Sequence, residues 1–548
     1  MDRMLLIFPP GANPTYMPLG TALLATYIRR EAPCCHLTVR DCNIALWNKT
    51  VELHDDFTMM DTFLRGASGD FYNRATYQGY QEAFTVLAGI VSDCNREMKN
   101  WLETGMCREE ALYMYRSLAA RALDKEQYDT IGFSVMFPAQ VIPSLALARL
   151  MRSFLGESVR IIMGGAMISS LDVDALLRAE PVIDAVLRGE GEAGLAAFLN
   201  RAAYRETGGL SYREGAFVHH NGLPRQLDIE DIPCPDFSDF ETGAYFNPVP
   251  VLPVLFSRGC RWRSCRFCIH NLTFGAYRSL RYESFVDRLE RLQARHGVYH
   301  FYFADQYIGP DDLLGISNAI LRRGLTLWFH TMGRPEAGYT PEVLRTAFRA
   351  GCRWISWGIE TGSGKLLDIC NKGTTVPVIE KVLVNAAEAG ISNLAMMIFG
   401  LPGTDRNAFD DTLSFAGRVS PVVDAFTSSA FQLFARAPFY ASRKRYSLQE
   451  CDRETLVTIN GIAVTTGRVF YMVRDSNGAL YEPAHYDELK KWEQWKLWVR
   501  GGPTFFEHIS SEHYLIFAAE KDYKNMPEEL PDKPRKPAAT PNPLARAS

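Results

Sequence analysis

Short apolar runs alternate with amphipathic stretches through residues 1–204, the pattern of a parallel sheet flanked by helices. Met4 to Phe8, Leu37 to Asp41, Thr130 to Ser134, Val159 to Met163 and Ala185 to Arg188 read as buried strands. The first strand ends in PPGANPTYMPLG and leads into a helix over Thr21 to Arg30. Residues 9–20 are therefore expected to form a loop at a strand's carboxyl end, where open α/β sheets bind their ligands. The other strands run into Asp41, Ser134, Gly164-Gly165 and Gly189-Glu190-Gly191-Glu192, so these loops should share one edge. Residues 51–125 switch to helical spacing, with Phe84, Leu87, Val91, Cys94, Met98 and Trp101 in phase. This inserted layer is expected to cap the sheet or to act as a lid over its ligand edge.

GLSYREGAFVHHNGLPRQL predicts a hairpin within a connection over 205–250, which includes the acidic, Pro-rich DIPCPDFSDF. From Val251 to about residue 440, VLPVLFS, HFYFAD, LWFHT, WISWGIE, NLAMMIFG and AFTSSAFQLF mark six βα units in series. They predict a full or partial (β/α) barrel, whose site lies at the carboxyl ends of the strands. Residues 441–523 are expected to form a small α+β domain, with TINGIAVTTG, RVFYMVRD and HYLIFAAE as strands and HYDELKKWEQWKLWVR as a helix. Trp492, Trp495 and Trp498 on that helix read as core packing, the alternative being a wall for a peptide or aromatic substrate. Residues 524–548, Pro-rich from Pro527 onward, are expected to be disordered. The fold class is α/β: a Rossmann-like parallel sheet, a partial (β/α)6 barrel and a small α+β carboxyl-terminal domain.

Length and composition narrow the function. With 548 residues, 47% of them hydrophobic and 22% charged, the chain is neither a small binding module nor a disordered scaffold. Fifty-nine basic against 63 acidic residues leave a net charge of −4, so no global field invites nucleic acid. No apolar run reaches the roughly 18 residues of a membrane span, and MDRMLLIFPPGANP reads as a strand and turn rather than a signal peptide. No membrane association and a cytoplasmic location are expected. Twelve cysteines are too dilute for a disulfide framework, and Cys352 and Cys370, in apolar or helical stretches, read as small hydrophobes. The basic run Arg443 to Arg445 reads as a solvated face.

Three cysteines are clustered. SRGCRWRSCRFC places Cys260, Cys265 and Cys268 at C-x4-C-x2-C just after the first barrel strand, so three thiolates can converge on one metal centre. One reading is a 4Fe-4S cluster held by three cysteines, with one iron open to a substrate. The other is zinc, with His270 as the fourth ligand.

This segment resembles the radical SAM enzymes, in which three cysteines on the loop after the first barrel strand hold such a cluster. Their usual spacing is C-x3-C-x2-C, and this chain has one more residue between the first two cysteines. The resemblance implies that the open iron binds S-adenosylmethionine, whose reductive cleavage yields a 5′-deoxyadenosyl radical. It also implies an electron donor such as flavodoxin or ferredoxin. Phe267 matches the family's residue beside the adenine. Downstream, FYFADQYIG puts Asp305 at a strand end, and SWGIETGSGKLLDICNKGTT puts Glu360 where the family contacts the ribose or methionine moiety. MMIFGLPGTD matches the family's glycine-bearing turn with Ile398, Gly400 and Gly403.

The amino-terminal half resembles the cobalamin-binding domain that precedes the barrel in one branch of this family. PPGANPTYMPLGTALLATYIR, YDTIGFSVMFPAQ, IIMGGAMISS and VLRGEGEAGL carry that resemblance, which implies cobalamin contacts at Pro10, Ser134, Gly164, Gly165, Gly189 and Glu190. No D-x-H-x-x-G segment occurs, so no histidine is expected beneath the cobalt. The implied function is C-methylation of an unactivated carbon in a natural-product intermediate or ribosomally made peptide. Two alternatives stand beside it: rearrangement, cyclisation or epimerisation without methyl transfer, and a non-catalytic cobalamin or iron-sulfur sensor.

Overall fold

The computed structural model describes residues 2–54, 74–224, 226–270, 275–474, 479–483, 485–500 and 510–525. The chain begins with β1 (Arg3–Phe8), α1 (Leu19–Glu31), β2 (His36–Asp41) and α2 (Cys42–Glu52), then α3 (Arg74–Thr104) and α4 (Glu109–Leu123). β3 (Thr130–Ser134), α5 (Val141–Leu155), β4 (Arg160–Gly164), α6 (Val173–Ala179), β5 (Ala185–Leu187) and α7 (Gly191–Leu199) follow. The five strands pair in parallel in the order β2-β1-β3-β4-β5, and the inner strands are apolar because helices cover both faces, while the edge strand β2 buries only Leu37 and Val39. The chain moves one way from β1 to β2 and the other way from β3 to β5. The switch point therefore falls between β1 and β3, where such sheets bind ligands.

The predicted hairpin is β6 (Leu210–Glu214) and β7 (Phe217–His220), and it extends the first sheet antiparallel from β5. The helical layer is α3 and α4, packed over α2 and α5 with Leu87, Val91 and Met98 buried.

The second unit runs β8 (Val251–Val254), β9 (Ser257–Arg258), β10 (Arg278–Ser279), α8 (Tyr282–His296), β11 (His300–Phe303), α9 (Pro310–Arg323) and β12 (Trp328–Gly333). It continues through α10 (Pro341–Arg349), β13 (Cys352–Glu360), α11 (Gly364–Cys370), α12 (Val376–Glu388), β14 (Ser392–Phe399), α13 (Arg406–Val419) and β15 (Ala425–Ala430). β8 and β11 to β15 form a six-stranded all-parallel sheet in chain order, as a partial barrel requires.

Beyond it, β16 (Leu433–Phe434), β17 (Leu448–Ile459), β18 (Ile462–Arg474) and β19 (Leu480–Tyr481) form a small antiparallel sheet. β17 and β18 turn at Asn460-Gly461, both at positive φ, so TINGIAVTTG spans a hairpin rather than one strand. α14 (His485–Arg500) carries the tryptophans, with Trp492 fully buried and stacked on Trp495 at 4.9 Å. HYLIFAAE, expected as a strand, is instead part of α15 (Ser511–Asn525). α15 packs on β11, β12 and β13 and so fills the inner face of the open barrel, with Tyr514, Leu515 and Ile516 buried. Nearly all of the tail expected to be disordered lies outside the described residues.

Candidate active site at the sheet edge and the barrel mouth

The loop after β1 is held in place by two side chains. Gln140 Nε2 donates to the Pro9 carbonyl at 2.7 Å while its Oε1 accepts from the Met136 amide at 2.8 Å, and Asn43 Oδ1 accepts from the Gly11 and Ala12 amides at 3.0 Å. Two loops at the switch point are thus tied together. A cavity of about 490 Å³ opens beside them, between the sheet and helices α1 and α7, and continues to the inner ends of β8 and β11. Its size is that of a small-ligand or cofactor site. Ser134, Gly164, Gly165, Gly189 and Glu190 line it, whereas Pro10 is buried in the loop behind.

Charged side chains join the two walls. Arg258 on β9 is paired with Glu192, and with Glu190 at 3.2 Å, and Arg278 on β10 is also paired with Glu190. Burial pulls Arg258 down, but the two carboxylates outweigh it and hold its pKa above the usual value. Deeper in the cavity, Tyr16, Tyr302 and Glu512 face one another from the first loop, β11 and α15. Thr15 Oγ1 donates to Glu512 at 3.0 Å, and burial pushes the Glu512 carboxyl up to about 7.

The three cysteines sit on the loop after β9, half-buried. Trp262 Nε1 donates to the Asn371 carbonyl at 2.9 Å, the Arg266 amide donates to Cys370 at 2.9 Å, and the Phe439 amide donates to Arg266 at 2.9 Å. Arg334 stacks on Trp262 at 4.3 Å. Burial raises the Cys265 and Cys268 thiols, Cys268 to about 11, and in each case the other cysteines add to the rise. Among the described residues, however, no three His, Cys, Asp or Glu side chains converge on a single ion. Each thiolate of a four-iron cluster binds a different iron, so a cluster does not need its three cysteines to meet at one ion, whereas a zinc site with His270 does.

Glu360 ends β13 at φ 69°, where the register with β14 shifts. This bulge aims its carboxylate at Lys372 Nζ, 2.7 Å away, and Lys372 lies 5.8 Å from the Phe267 ring. Phe267 and Ile398 pack against one apolar cluster that includes Cys370, Leu401 and Phe431. Cys265, Phe267, Glu360 and Ile398 are thus assembled.

Two predicted contacts are occupied otherwise. Asp305 is fully buried and accepts from the Phe256 amide at 3.0 Å and the Ser257 amide at 2.6 Å, which fixes the start of the cysteine loop. The Gly400 amide donates to Glu488 of α14 at 2.8 Å. Lys372, Arg258 and Glu512 had no periodic or motif signal of their own in this role, whereas Glu192 lies in the GEGE loop expected at the sheet edge.

Residues 254–416 match the family model of the radical SAM superfamily. This chain carries a radical SAM domain. The domain implies a 4Fe-4S cluster and S-adenosylmethionine, and the cysteine loop with its Phe267–Lys372–Glu360 wall fits both. An uncharacterized methyltransferase from Pyrococcus horikoshii is 28% identical over 322 residues, covering 56% of this chain and 68% of that protein. An anaerobic magnesium-protoporphyrin IX monomethyl ester cyclase from Cereibacter sphaeroides is 25% identical over 322 residues, covering 56% of this chain and 52% of its own length. The structure of OxsB, a cobalamin-dependent S-adenosylmethionine radical enzyme, superposes with TM-score 0.60 at 17% identity, covering 85% of this chain and 64% of OxsB. The radical SAM domain and the preceding sheet share that enzyme's fold. No helix among the described residues is long and apolar enough to cross a membrane.

Proposed function

We propose that this chain is a cobalamin-dependent radical SAM enzyme that methylates an unactivated carbon of a natural-product intermediate or a ribosomally made peptide. The observation that carries the reading is the cavity itself, which joins the loop edge of the first sheet to the inner ends of β8 and β11 beside the cysteine loop. When bound, the two cofactors supply one-electron cleavage of S-adenosylmethionine and a transferable methyl group.

The chain's own residues do the rest. Cys260, Cys265 and Cys268 hold the cluster, and Phe267, Glu360, Lys372 and Ile398 orient the nucleoside and amino-acid ends of S-adenosylmethionine. The loops at Ser134, Gly164-Gly165 and Gly189-Glu190 form the corrin edge. Tyr16, Tyr302 and Glu512 offer hydrogen bonds to the carboxamides of the ring. Arg258 fixes the distance between the two cofactor sites, and α15 keeps water out of the barrel from below. The reducing electron comes from an outside donor of the flavodoxin or ferredoxin kind.

The cyclase relative supports a second reading, in which the same cofactors drive a ring closure without methyl transfer. A non-catalytic sensor would have no use for Glu360, Lys372 and Phe267 assembled beside the cysteines. The deciding experiment is anaerobic reconstitution with iron, sulfide, cobalamin, S-adenosylmethionine and a strong reductant, followed by mass spectrometry. Methyl transfer yields S-adenosylhomocysteine together with 5′-deoxyadenosine, and both vanish in Cys265→Ala. 5′-Deoxyadenosine alone, with substrate converted but not methylated, favours ring closure.

A further inference from the structure

A second cavity, of about 200 Å³, opens where the three parts of the chain meet. Ser169 and Ser170 from the turn after β4, Ile269 next to Cys268, and Arg436, Arg453 and Thr466 from the small sheet line it. Its back is fixed, because the Asp172 amide donates to the Thr465 carbonyl at 2.9 Å and Leu171 forms a β-bridge with Thr466. The cavity is thus a built junction beside the cysteine loop.

Its charges do not balance. One carboxylate, Asp172, lines the cavity and caps α6 by accepting from the Ala175 amide at 3.0 Å, while Glu454 behind it accepts from Arg468 and from the Thr466 hydroxyl at 2.9 Å each. Arg453 reaches Glu450 at 3.6 Å. Arg436 donates only to the Ser169 carbonyl, at 3.4 Å, and Arg188 to the Asn221 carbonyl. Neither guanidinium has a carboxylate partner among the described residues, and Arg188 Nε is buried with no hydrogen-bond partner. The two also act on each other: burial lowers the Arg188 pKa, and the charge of Arg436 lowers it further. Arg188 leads directly into Gly189, which lines the first cavity and whose amide donates to Ser169 Oγ at 3.4 Å, and Ser169 and Arg436 line the second, so Arg188 acts on the second cavity from behind its wall. Arg188 is held beside the like charge of Arg436 at a cost that an anion bound between Arg436 and the cavity wall relieves.

We propose that this second cavity takes an anionic group of the substrate, a phosphate or a carboxylate, and anchors the substrate against the cysteine loop. The inference rests on the radical SAM reading above and adds the substrate class to it: a molecule with a negative charge at one end and the reacting carbon at the other. Arginine is suited to this role because its planar fork meets phosphate and carboxylate with two parallel hydrogen bonds.

The test is calorimetric titration of inorganic phosphate into the full-length, cluster-reconstituted protein, with ionic strength held constant by chloride. Wild type, Arg436→Gln, Arg188→Gln and the control Arg443→Gln, which lines neither cavity, are compared, each with and without cobalamin bound. Arg436 is exposed, so its variant keeps the fold even if the Arg188 variant does not. Saturable binding by wild type in both cobalamin states is expected, roughly tenfold weaker in Arg436→Gln and unchanged in Arg443→Gln. No saturable binding by wild type, or equal binding by Arg436→Gln, overturns the proposal. Binding that disappears once cobalamin is loaded assigns the pocket to that cofactor's own phosphodiester and overturns the substrate assignment. Failure of cobalamin to bind at all overturns the proposed function, while phosphate binding lost in Arg436→Gln still supports the anion site.

Discussion

Glu360 adopts a left-handed backbone conformation, φ 69°, that few glutamates take, and Gly358 leaves room for its ion pair with Lys372. A Cβ on Gly358 would lie 2.9 Å from both Glu360 Oε1 and Lys372 Nζ. The pair is nearly buried, with side-chain exposures of 11% and 7%, so removing one partner strands the other charge. Lys372→Met should therefore cost about 3 kcal/mol in urea unfolding of the cluster-free protein, and adding Glu360→Gln should recover most of it. A double-variant cycle with no coupling would show that the pair is screened by water. Glu512 has the opposite balance, since burial lifts its carboxyl from an ordinary 4.5 to about 7 with Tyr16 and Tyr302 adding to its surroundings. Between those pH values the unfolded chain is ionised and the folded one still protonated, so stability falls as pH rises and the deficit is full above pH 7. Glu512→Gln should then raise the thermal midpoint at pH 8, by the equivalent of about 3 kcal/mol at most, and leave it unchanged near pH 4.5. A gain of the same size at both pH values would mean that packing, not charge, is responsible.

Turns at the sheet edge are fixed by backbone as much as by side chains. Gly165 has φ 109°, and a Cβ there would stand 2.4 Å from the Val135 carbonyl oxygen, so this turn packs directly on the loop after β3. Gly165→Ala should lose at least about 2 kcal/mol of stability and weaken cobalamin binding in a spectral titration. Gly89→Ala, in the exposed face of α3 with nothing within 4 Å of the added carbon, should instead gain about 0.5 to 1 kcal/mol. Elements with a strong period were legible in the sequence. β1 to β5, four of the six barrel strands and α14 lie within a residue or two of the expected positions, because each is either a buried apolar run or a long amphipathic stretch, while β8 and β15 stop three and four residues short where a second short strand takes over each run. α15 was not legible, since an apolar run as short as HYLIFAAE fits a buried strand or a buried helix equally well. Only the concave face of the barrel decides between them. The cysteines, Phe267 and Glu360 were legible because motif spacing carries them. Lys372 and Arg258 were not, because their partners lie on other elements and no local pattern marks a long-range ion pair, and Glu512 was not, because only the folded barrel brings Thr15 to it. Asp305 shows the reverse case: its position at a strand end suggested a ligand contact, yet two amides of the cysteine loop use its oxygens.

The first sheet and the barrel share one continuous apolar core, to which a small number of charged contacts and one helix add. α15 lies in the barrel while His513 bonds Tyr77 of α3 at 2.7 Å, so the carboxyl-terminal helix ties the helical layer to the barrel. On the opposite side of the cavity, Arg258 is the hinge point, 9% exposed and shared between Glu190 and Glu192 of the first unit, two residues before Cys260. Arg258→Met leaves Glu190 with Arg278 but leaves Glu192 as a buried carboxylate without a cation, a defect of about 3 to 5 kcal/mol. The loss should fall on the junction and not on either sheet. Scanning calorimetry of the cluster-free protein should then show a lower midpoint and a transition split in two, the first sheet melting apart from the barrel. Adding Glu192→Gln removes the stranded charge and should restore much of the midpoint, while the split persists because the tie between the units is still missing. An Arg258→Met protein that melts as wild type does would place the junction's stability in α15 and the shared apolar core. The cysteine loop would then keep its position relative to the corrin edge without the arginine.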